Sequence, residues 1–264
     1  MKAGDIIDYL NEIAPWRYAE EWDSVGLMVG SRDNSVTKLL LCMDVTSDVI
    51  SEAVGYGAQM ILSHHPFIFS KLKSINMETF KGQHIANLIK NDISVVSAHT
   101  NLDTAPGGVN DTLAECLQLT NCQNLKAYIP NGFSCDLGMG KIGELQNYKS
   151  FAEFVKDIKK NLGIENVRII GKKPEKVKNI AVFCGSFDDD LENLKSRKVD
   201  VLVTGDIKYH TALDAAQMGL CIVDAGHFAT ERIILPKLRD TLNNRFMELD
   251  IVCSNMEADP FTFA

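Results

Sequence analysis

Two adjacent histidines, His64 and His65, stand between an apolar run and a proline in the sequence ILSHHP. Neighbouring residues on a strand point to opposite faces, so both imidazoles can serve one site only where the strand has ended. Pro66 favours such an ending at this point. The pair could hold a metal, transfer protons or only satisfy buried carbonyl groups. Metal binding is the leading hypothesis because further stretches of the chain also place histidine beside carboxylates.

Two of these stretches combine an imidazole with a carboxylate at short spacing. In HTNLD, Asp103 follows His99, and we expect it in the loop behind a strand. In GHFATE, His227 and Glu231 are spaced i and i+4, which puts both side chains on one face of a helix. Taken alone, this second pair is better explained as an ordinary helical ion pair. Its position after a predicted strand is what favours a site.

The stretch TGDIKYH gives Asp206 and His210 the same spacing, either beside a site or at a solvated helix start. Imidazoles with carboxylates suit Zn²⁺, Mn²⁺, Fe²⁺, Co²⁺ or Ni²⁺, whereas an all-oxygen set suits Ca²⁺ or Mg²⁺. Two or three histidines with two carboxylates exceed what one catalytic ion needs. A carboxylate can bridge two ions about 3.5–4 Å apart, an arrangement used for hydrolysis. These residue types therefore predict a two-metal site.

Alternating apolar strands and helical stretches position these residues and predict an α/β fold. In two halves of the chain the order is strand, helix, strand, helix, strand, with polar residues at the carboxyl ends of the second and third strands. Ligand sites of open α/β sheets lie at those ends. The repetition predicts an internal duplication, two similar βαβ-type domains packed around a central metal site, although chance similarity of βα segments is the alternative.

Three segments follow from this pattern. We predict a first α/β half over residues 1–125 and a second over residues 178–264. Between them, residues 126–177 contain the turn-rich sequence IPNGFSCDLGMGKIGEL, then a helical stretch and a short strand. We predict that they form a small bridging α/β subdomain.

Composition narrows the function classes. The 264 residues are 45% hydrophobic, enough for an enzyme core, and the net charge of −8 argues against a nucleic-acid partner. The start MKAGDIIDYLNEIAP lacks a signal-peptide core, and no apolar run approaches the length of a membrane span. Cysteines without a C-x-x-C pair are typical of small core residues in a reducing compartment, so we expect a cytoplasmic protein. The seven cysteines are Cys42, Cys116, Cys122, Cys135, Cys184, Cys221 and Cys253.

Five ordered motifs resemble those of the NIF-three-like family, whose members are often named GTP cyclohydrolase type 2 homologues. The motifs are WDSVGLMVG, SHHP, HTNLDTAPGGVND, TGDIKYH and GHFATE, and the resemblance runs over essentially the whole chain. It implies two similar α/β domains with a dinuclear metal site between them. It also implies a homo-oligomer, a ring-like hexamer assembled as a trimer of dimers.

The resemblance implies five metal ligands, His64, His65, Asp103, His227 and Glu231. In the family pattern Glu231 bridges two divalent ions. His65 and Asp103 then bind one ion, and His64 and His227 bind the other. The same five residues had emerged from the residue types, but the allocation to each ion comes from the resemblance alone.

The resemblance also implies a metal-dependent hydrolase, in which activated water attacks C8 of a guanine ring. His99 and His210 are the candidate catalytic residues that would move protons. Lys71, Lys73 or Lys208 would neutralise the triphosphate of a nucleotide or of another phosphorylated small molecule. The alternative is a non-enzymatic metal-binding, metal-delivery or regulatory protein that acts through the surface of its ring.

Overall fold

The computed structural model describes residues 1–128, 137–188 and 190–263. Helices and strands alternate along this part of the chain, which confirms the predicted α/β class. In chain order the elements are α1 (Ala3–Ile13), a short 3-10 turn (Trp16–Tyr18), β1 (Gly26–Val29), β2 (Lys38–Cys42), α2 (Ser47–Tyr56), β3 (Met60–Ser63), α3 (Phe80–Lys90), β4 (Ser94–Ser97), α4 (Thr100–Thr104), α5 (Val109–Cys116), β5 (Thr120–Tyr128), β6 (Leu137–Ser150), α6 (Phe151–Leu162), β7 (Arg168–Gly171), β8 (Lys176–Ser186), α7 (Leu191–Ser196), β9 (Val201–Gly205), α8 (Tyr209–Gln217), β10 (Cys221–Asp224), α9 (His227–Glu231), α10 (Ile234–Arg245) and β11 (Asp250–Cys253).

The chain forms two compact units. The first comprises Met1–Ala105 and Ile234–Ala258, and the second comprises Pro106–Ile233 and Asp259–Ala264. This division differs from the predicted segments 1–125, 126–177 and 178–264. The reason is that each unit is built around its own sheet, and the sheets recruit strands from distant parts of the chain.

The first unit contains a five-stranded sheet in the order β1-β4-β3-β2-β11. Strands β11, β2, β3 and β4 run parallel, and β1 is an antiparallel edge. Leu40, Ile61 and Val95 on the central strands are fully buried. Parallel strands covered on both faces read as continuous apolar runs, which is why these strands were predictable. Strand β11 was not predicted, because it joins this sheet from the end of the chain.

The second unit contains a six-stranded sheet in the order β5-β6-β8-β9-β10-β7. Strands β8, β9 and β10 run parallel, and β5, β6 and β7 pair antiparallel. Residues 137–171 contribute β6, α6 and β7 to this unit. Each unit thus has three successive parallel strands, but the internal duplication stays a prediction.

The Gly-rich sequence LGMGKIGEL, expected to be turns, is the first part of strand β6. Its glycines allow neighbouring strands to approach closely. A Cβ added at Gly138 would lie 2.2 Å from the carbonyl oxygen of Lys126, and one at Gly140 would lie 2.9 Å from that of Val182. Glycine in a strand often marks such close approach of another backbone. The turn prediction was wrong here because those neighbours come from elsewhere in the sequence. The rest of the predicted turn, residues 129–136, lies outside the described residues.

The described cysteines differ in burial. Cys42, Cys184 and Cys221 are buried, as expected of core residues, whereas Cys122 is exposed. Burial raises the pKa of the Cys42 thiol well above its ordinary value. Cys135 lies outside the described residues. Among the described helices, none has the length and apolar character that crossing a bilayer requires. The cytoplasmic location stays a prediction.

Candidate metal centre

Strand β3 ends in a turn that orients both adjacent histidines. The backbone N–H groups of His64 and His65 donate to the carbonyl oxygens of Cys42 (3.0 Å) and Met43 (2.9 Å). The Ser63 hydroxyl donates to the carbonyl of His65 at 2.8 Å and so closes the turn. The two imidazole centroids lie 5.1 Å apart. The strand therefore ends at the point where the sequence required it to end.

A histidine cluster forms at this edge of the first sheet from His64, His65 and His99. The centroid of the His99 ring lies 5.3 Å from that of His64 and 5.6 Å from that of His65. One ring nitrogen of each histidine lies within 4.8 Å of the corresponding nitrogens of the other two. Asp103 Oδ1 lies 3.6 Å from His64 Nε2. Asp103 was expected in a loop but lies on the short helix α4, which turns its carboxylate toward the cluster.

Hydrogen bonds fix which nitrogen His64 and His65 offer. The Nδ1 atom of His64 lies 2.9 Å from the carbonyl oxygen of Ala98, which can only accept a hydrogen bond. The Nδ1 atom of His65 lies 3.0 Å from Asp44 Oδ1. Both imidazoles therefore donate through Nδ1, and a neutral ring then carries its lone pair on Nε2. Metal-binding histidines are typically held in this way.

Asp23, which is not among the predicted site residues, holds His99 in the same manner. Its Oδ1 lies 2.9 Å from His99 Nδ1, and its Oδ2 accepts from the backbone N–H (3.1 Å) and the hydroxyl (2.5 Å) of Thr100. Burial alone would raise the pKa of Asp23, but the hydrogen bonds from His99 and Thr100 lower it to about 2. Asp23 lies in the WDSVGLMVG motif, and its place in that motif is the feature of the sequence that could have identified it as a site residue. Asp23 leaves Nε2 of His99 as a proton acceptor or further ligand.

We expect Asp23→Asn to remove a pH-dependent part of the stability. The pKa of Asp23 falls from its ordinary 3.8 to about 2 on folding. The carboxylate therefore stabilises the native state above about pH 4, and this contribution disappears as the pH falls through about 2. After a discount for partial solvent screening, it amounts to about 1–2 kcal/mol. Urea unfolding of both proteins should show a difference that shrinks as the pH falls from about 4 toward 2, and a difference independent of pH would contradict this.

The second unit brings His227 and Glu231 together on the short helix α9. The distance from His227 Nε2 to Glu231 Oε2 is 3.0 Å, and His227 Nδ1 lies 2.9 Å from Asp206 Oδ2. Of the two alternatives for Asp206, a place beside the site and a solvated helix start, the structure favours the first, because its φ is 46° and α8 begins only at Tyr209. Asp206 therefore orients His227. His210 is exposed, with its ring centroid 5.3 Å from that of Tyr209.

Gly185, at the end of strand β8, makes room for the Glu231 carboxylate. A Cβ added at Gly185 would lie 2.2 Å from Glu231 Oε1. The φ of Gly185 is +65°, and its N–H donates to the hydroxyl of Thr230 at 3.1 Å. Gly185 was missed in the sequence, although a glycine at the end of an apolar strand is itself a signal of close backbone approach.

The donor atoms fit a divalent transition metal. Glu231 is only 3% exposed, and a buried carboxylate is costly unless a proton or a cation compensates it. Its neighbour His227 offers Nε2 because Nδ1 faces Asp206. Imidazole nitrogens together with carboxylate oxygens are the set that Zn²⁺, Mn²⁺, Fe²⁺, Co²⁺ and Ni²⁺ accept. The first unit therefore presents three imidazoles that could hold a metal ion, and the second unit presents His227 and Glu231 as a further imidazole and carboxylate.

We expect Asp44→Ala to weaken metal binding about 10- to 100-fold, because the carboxylate that orients His65 is lost. Asp48→Ala is the matched control, since Asp48 is an exposed aspartate in the first turn of α2. Calorimetric titration with metal measures the metal affinity of both variants. Equal affinities for the two variants would show that the hydrogen bond from Asp44 does not tune the site.

Comparisons with known proteins agree with the fold. The sequence model of the Duf34/NIF3 (NGG1p interacting factor 3) family matches residues 1–260. A protein of Clostridium perfringens named "GTP cyclohydrolase 1 type 2 homolog" is 40% identical over 266 residues, covering 100% of both chains. A relative of the same name from Clostridium acetobutylicum is 34% identical, covering 100% of this chain and 99% of that one. The crystal structure of a Bacillus cereus protein related to NIF3 superimposes with a TM-score of 0.93 at 28% identity, covering 100% of this chain and 99% of that one. The chain belongs to the Duf34/NIF3 family.

Proposed function

We propose that this protein binds two divalent metal ions per chain and is a metal-dependent hydrolase. In this proposal the family resemblance supplies the allocation, in which Glu231 would contribute to both ions. His65 and Asp103 would hold one ion, while His64 and His227 would hold the other. The native metal is one of Zn, Mn, Fe, Co and Ni.

One observation carries the proposal. Each of the three ligand histidines has Nδ1 within 3.0 Å of an oxygen that can accept a hydrogen bond, from Ala98, Asp44 or Asp206. A histidine that only stabilises a core can be satisfied through either nitrogen, whereas here Nδ1 is the bonded nitrogen in all three, as it is in the neighbouring His99. Metal sites select this pattern because the second hydrogen bond fixes both the tautomer and the direction of Nε2.

Divalent ions held in this way would supply Lewis acidity and a water of lowered pKa. The chain itself supplies the proton transfer. His99 is held through Nδ1 by Asp23, so its Nε2 is the atom that accepts a proton. Its ring lies 5.3 Å from that of His64, close enough to act on a substrate bound at the cluster. His210 stays a second candidate for proton transfer at the start of α8.

We propose a nucleotide or related phosphorylated molecule as the substrate, because the curated relatives carry the name of a GTP cyclohydrolase homologue. A cavity of about 570 Å³ in the second unit and one of about 540 Å³ in the first have the volume of small-molecule sites. Lys71 lines the latter, together with Glu20 and Asp23. Lys208 is already ion-paired with Asp188, so Lys71 is the better partner for a phosphate.

Metal content per chain, measured on protein purified without chelators or a histidine tag, tests the proposal. We expect close to two ions in the wild type and at least one fewer in His64→Ala. His84→Ala is the matched control, because His84 is half-buried on α3 and its Nε2 bonds the hydroxyl of Ser47 at 2.7 Å. A stoichiometry of one or none, unchanged in His64→Ala, would overturn the two-ion site.

Turnover is tested on the metal-loaded protein with GTP first, then with other phosphate esters and amides. Hydrolysis that is lost in His64→Ala supports the enzyme. Two bound ions without turnover of any of these substrates would favour the alternative, a metal-binding, metal-delivery or regulatory protein. The same preparations, analysed by light scattering after gel filtration, test the proposed hexamer.

A further inference from the structure

We infer that Trp22, with Phe69 at its edge, is the surface on which a planar nitrogen heterocycle of the substrate stacks. The inference rests on the proposed function, since it names the substrate class of the same site. It assigns a role to two residues that are not among the metal ligands or the proton-transfer candidates.

Both rings are exposed although they are large and apolar. Trp22 is 59% exposed and Phe69 is 55% exposed. Their centroids lie 5.9 Å apart with planes inclined by 51°, and the centroid of Trp22 lies 6.0 Å from that of His99. Clustered exposed aromatic side chains commonly mark binding surfaces. Here the cluster adjoins a histidine that could transfer protons.

The backbone holds Trp22 firmly beside His99. The N–H of Asp23 donates to the carbonyl of Glu20 at 3.0 Å, which closes the turn that carries Trp22. The Asp23 carboxylate in turn bonds His99 and Thr100. The indole is therefore attached, through one residue, to the hydrogen bonds that orient His99. A ring stacked on Trp22 would be positioned with respect to Nε2 of His99.

The geometry and charge of this surface favour one kind of ligand. A ligand ring inserted between Trp22 and Phe69 would need about 7 Å between the two side chains, twice a van der Waals contact, but their centroids lie only 5.9 Å apart. A ligand ring must therefore pack on the outer face of Trp22. The same turn carries the acidic residues Glu20 and Glu21. Carboxylates repel phosphate but accept hydrogen bonds from ring N–H groups. The surface therefore suits an amino-substituted heterocycle such as guanine, with the phosphates directed toward Lys71, which lines the cavity beside this turn.

The test uses guanosine, which has the ring but no phosphate, and the intrinsic fluorescence of the metal-loaded protein. The chain has two tryptophans, Trp16 and Trp22, so Trp16→Phe leaves Trp22 as the sole reporter. We expect guanosine to quench both the wild type and Trp16→Phe in a saturable manner. Inorganic tripolyphosphate should not quench either protein.

Affinity for guanosine is then measured by calorimetry in the variants. We expect Trp22→Ala to bind about 10- to 100-fold more weakly, because a base stacked on an aromatic ring loses that contact, while Trp22→Phe retains most of the affinity. Tyr148→Ala is the matched control, since Tyr148 is 67% exposed on β6 and carries no proposed role. Metal content should equal that of the wild type in all these variants.

Three results would overturn the inference: no binding of guanosine by the wild type, equal affinity in Trp22→Ala, or a changed oligomeric state in Trp22→Ala. The last would assign these rings to a contact between copies of the chain. Because metal content is read separately, a failed stacking surface leaves the two-ion site standing. Conversely, loss of the two-ion site would not abolish quenching by guanosine.

Discussion

Glu231→Gln is expected to lower metal affinity by at least about 100-fold, more than the loss of a residue that only orients a ligand. The amide keeps the shape of the side chain but removes the charge that would bridge two ions. Glu231 is 3% exposed, and a buried carboxylate is costly without its cation, so the metal-free variant should be no less stable than the metal-free wild type. Added metal should raise the Tm of the wild type more than that of Glu231→Gln, because a ligand stabilises the native state more the more tightly that state binds it.

Thermal unfolding with and without added metal, combined with metal content, measures this effect. Glu192→Gln is the control, since Glu192 is an exposed glutamate in the first turn of α7. We expect the control to retain both its metal and the increase in Tm. If Glu231→Gln also retained two ions per chain, the carboxylate would not be a ligand.

Gly185→Ala is expected to abolish metal binding at Glu231 without a change in any ligand. The added Cβ would lie 2.2 Å from Glu231 Oε1, so the carboxylate must move away. The φ of +65° adds a backbone penalty of about 1–2 kcal/mol for a residue with a side chain. The variant should therefore lose metal and also unfold at a lower urea concentration, both of which are measured on the same preparation.

Gly219→Ala separates the two causes. The φ of Gly219 is +76°, and a Cβ there would meet no atom within 4 Å. It therefore carries the same backbone penalty without the contact. We expect Gly219→Ala to lose a similar amount of stability and to keep its metal. Equal metal loss in both variants would mean that general destabilisation, and not the displaced carboxylate, empties the site.

Several secondary-structure elements could be predicted because the local sequence decides them. The runs LLLC, MILS and SVVS form β2, β3 and β4 because buried parallel strands need apolar residues on both faces. Helix α6 begins at Phe151 with Ser150 and Glu153 forming a capping box, and its C-cap Gly163 has a φ of 68°. Strand β6 could not be predicted, since the role of its glycines, to allow close approach of β5 and β8, depends on strands that lie elsewhere in the sequence.

The candidate ligands could also be predicted, because His64, His65, His227 and Glu231 follow strands whose ends the sequence defines.

The division of the chain into two units could not be predicted from the sequence. Residues 234–258 return to the first sheet through β11, a pairing between segments that the chain separates by about two hundred residues. No local pattern records such a pairing, because its stability comes from the neighbouring strand.

The sequence by itself determined the residue types of the candidate site and the strand ends that carry them. Only the tertiary structure decided which nitrogen each histidine presents. That choice depends on Ala98 for His64, on Asp44 for His65 and on Asp206 for His227, partners that lie 34, 21 and 21 residues away along the chain. The physical reason is that a tautomer is fixed by the acceptor that the imidazole meets in space, and that acceptor is brought to it by the sheet.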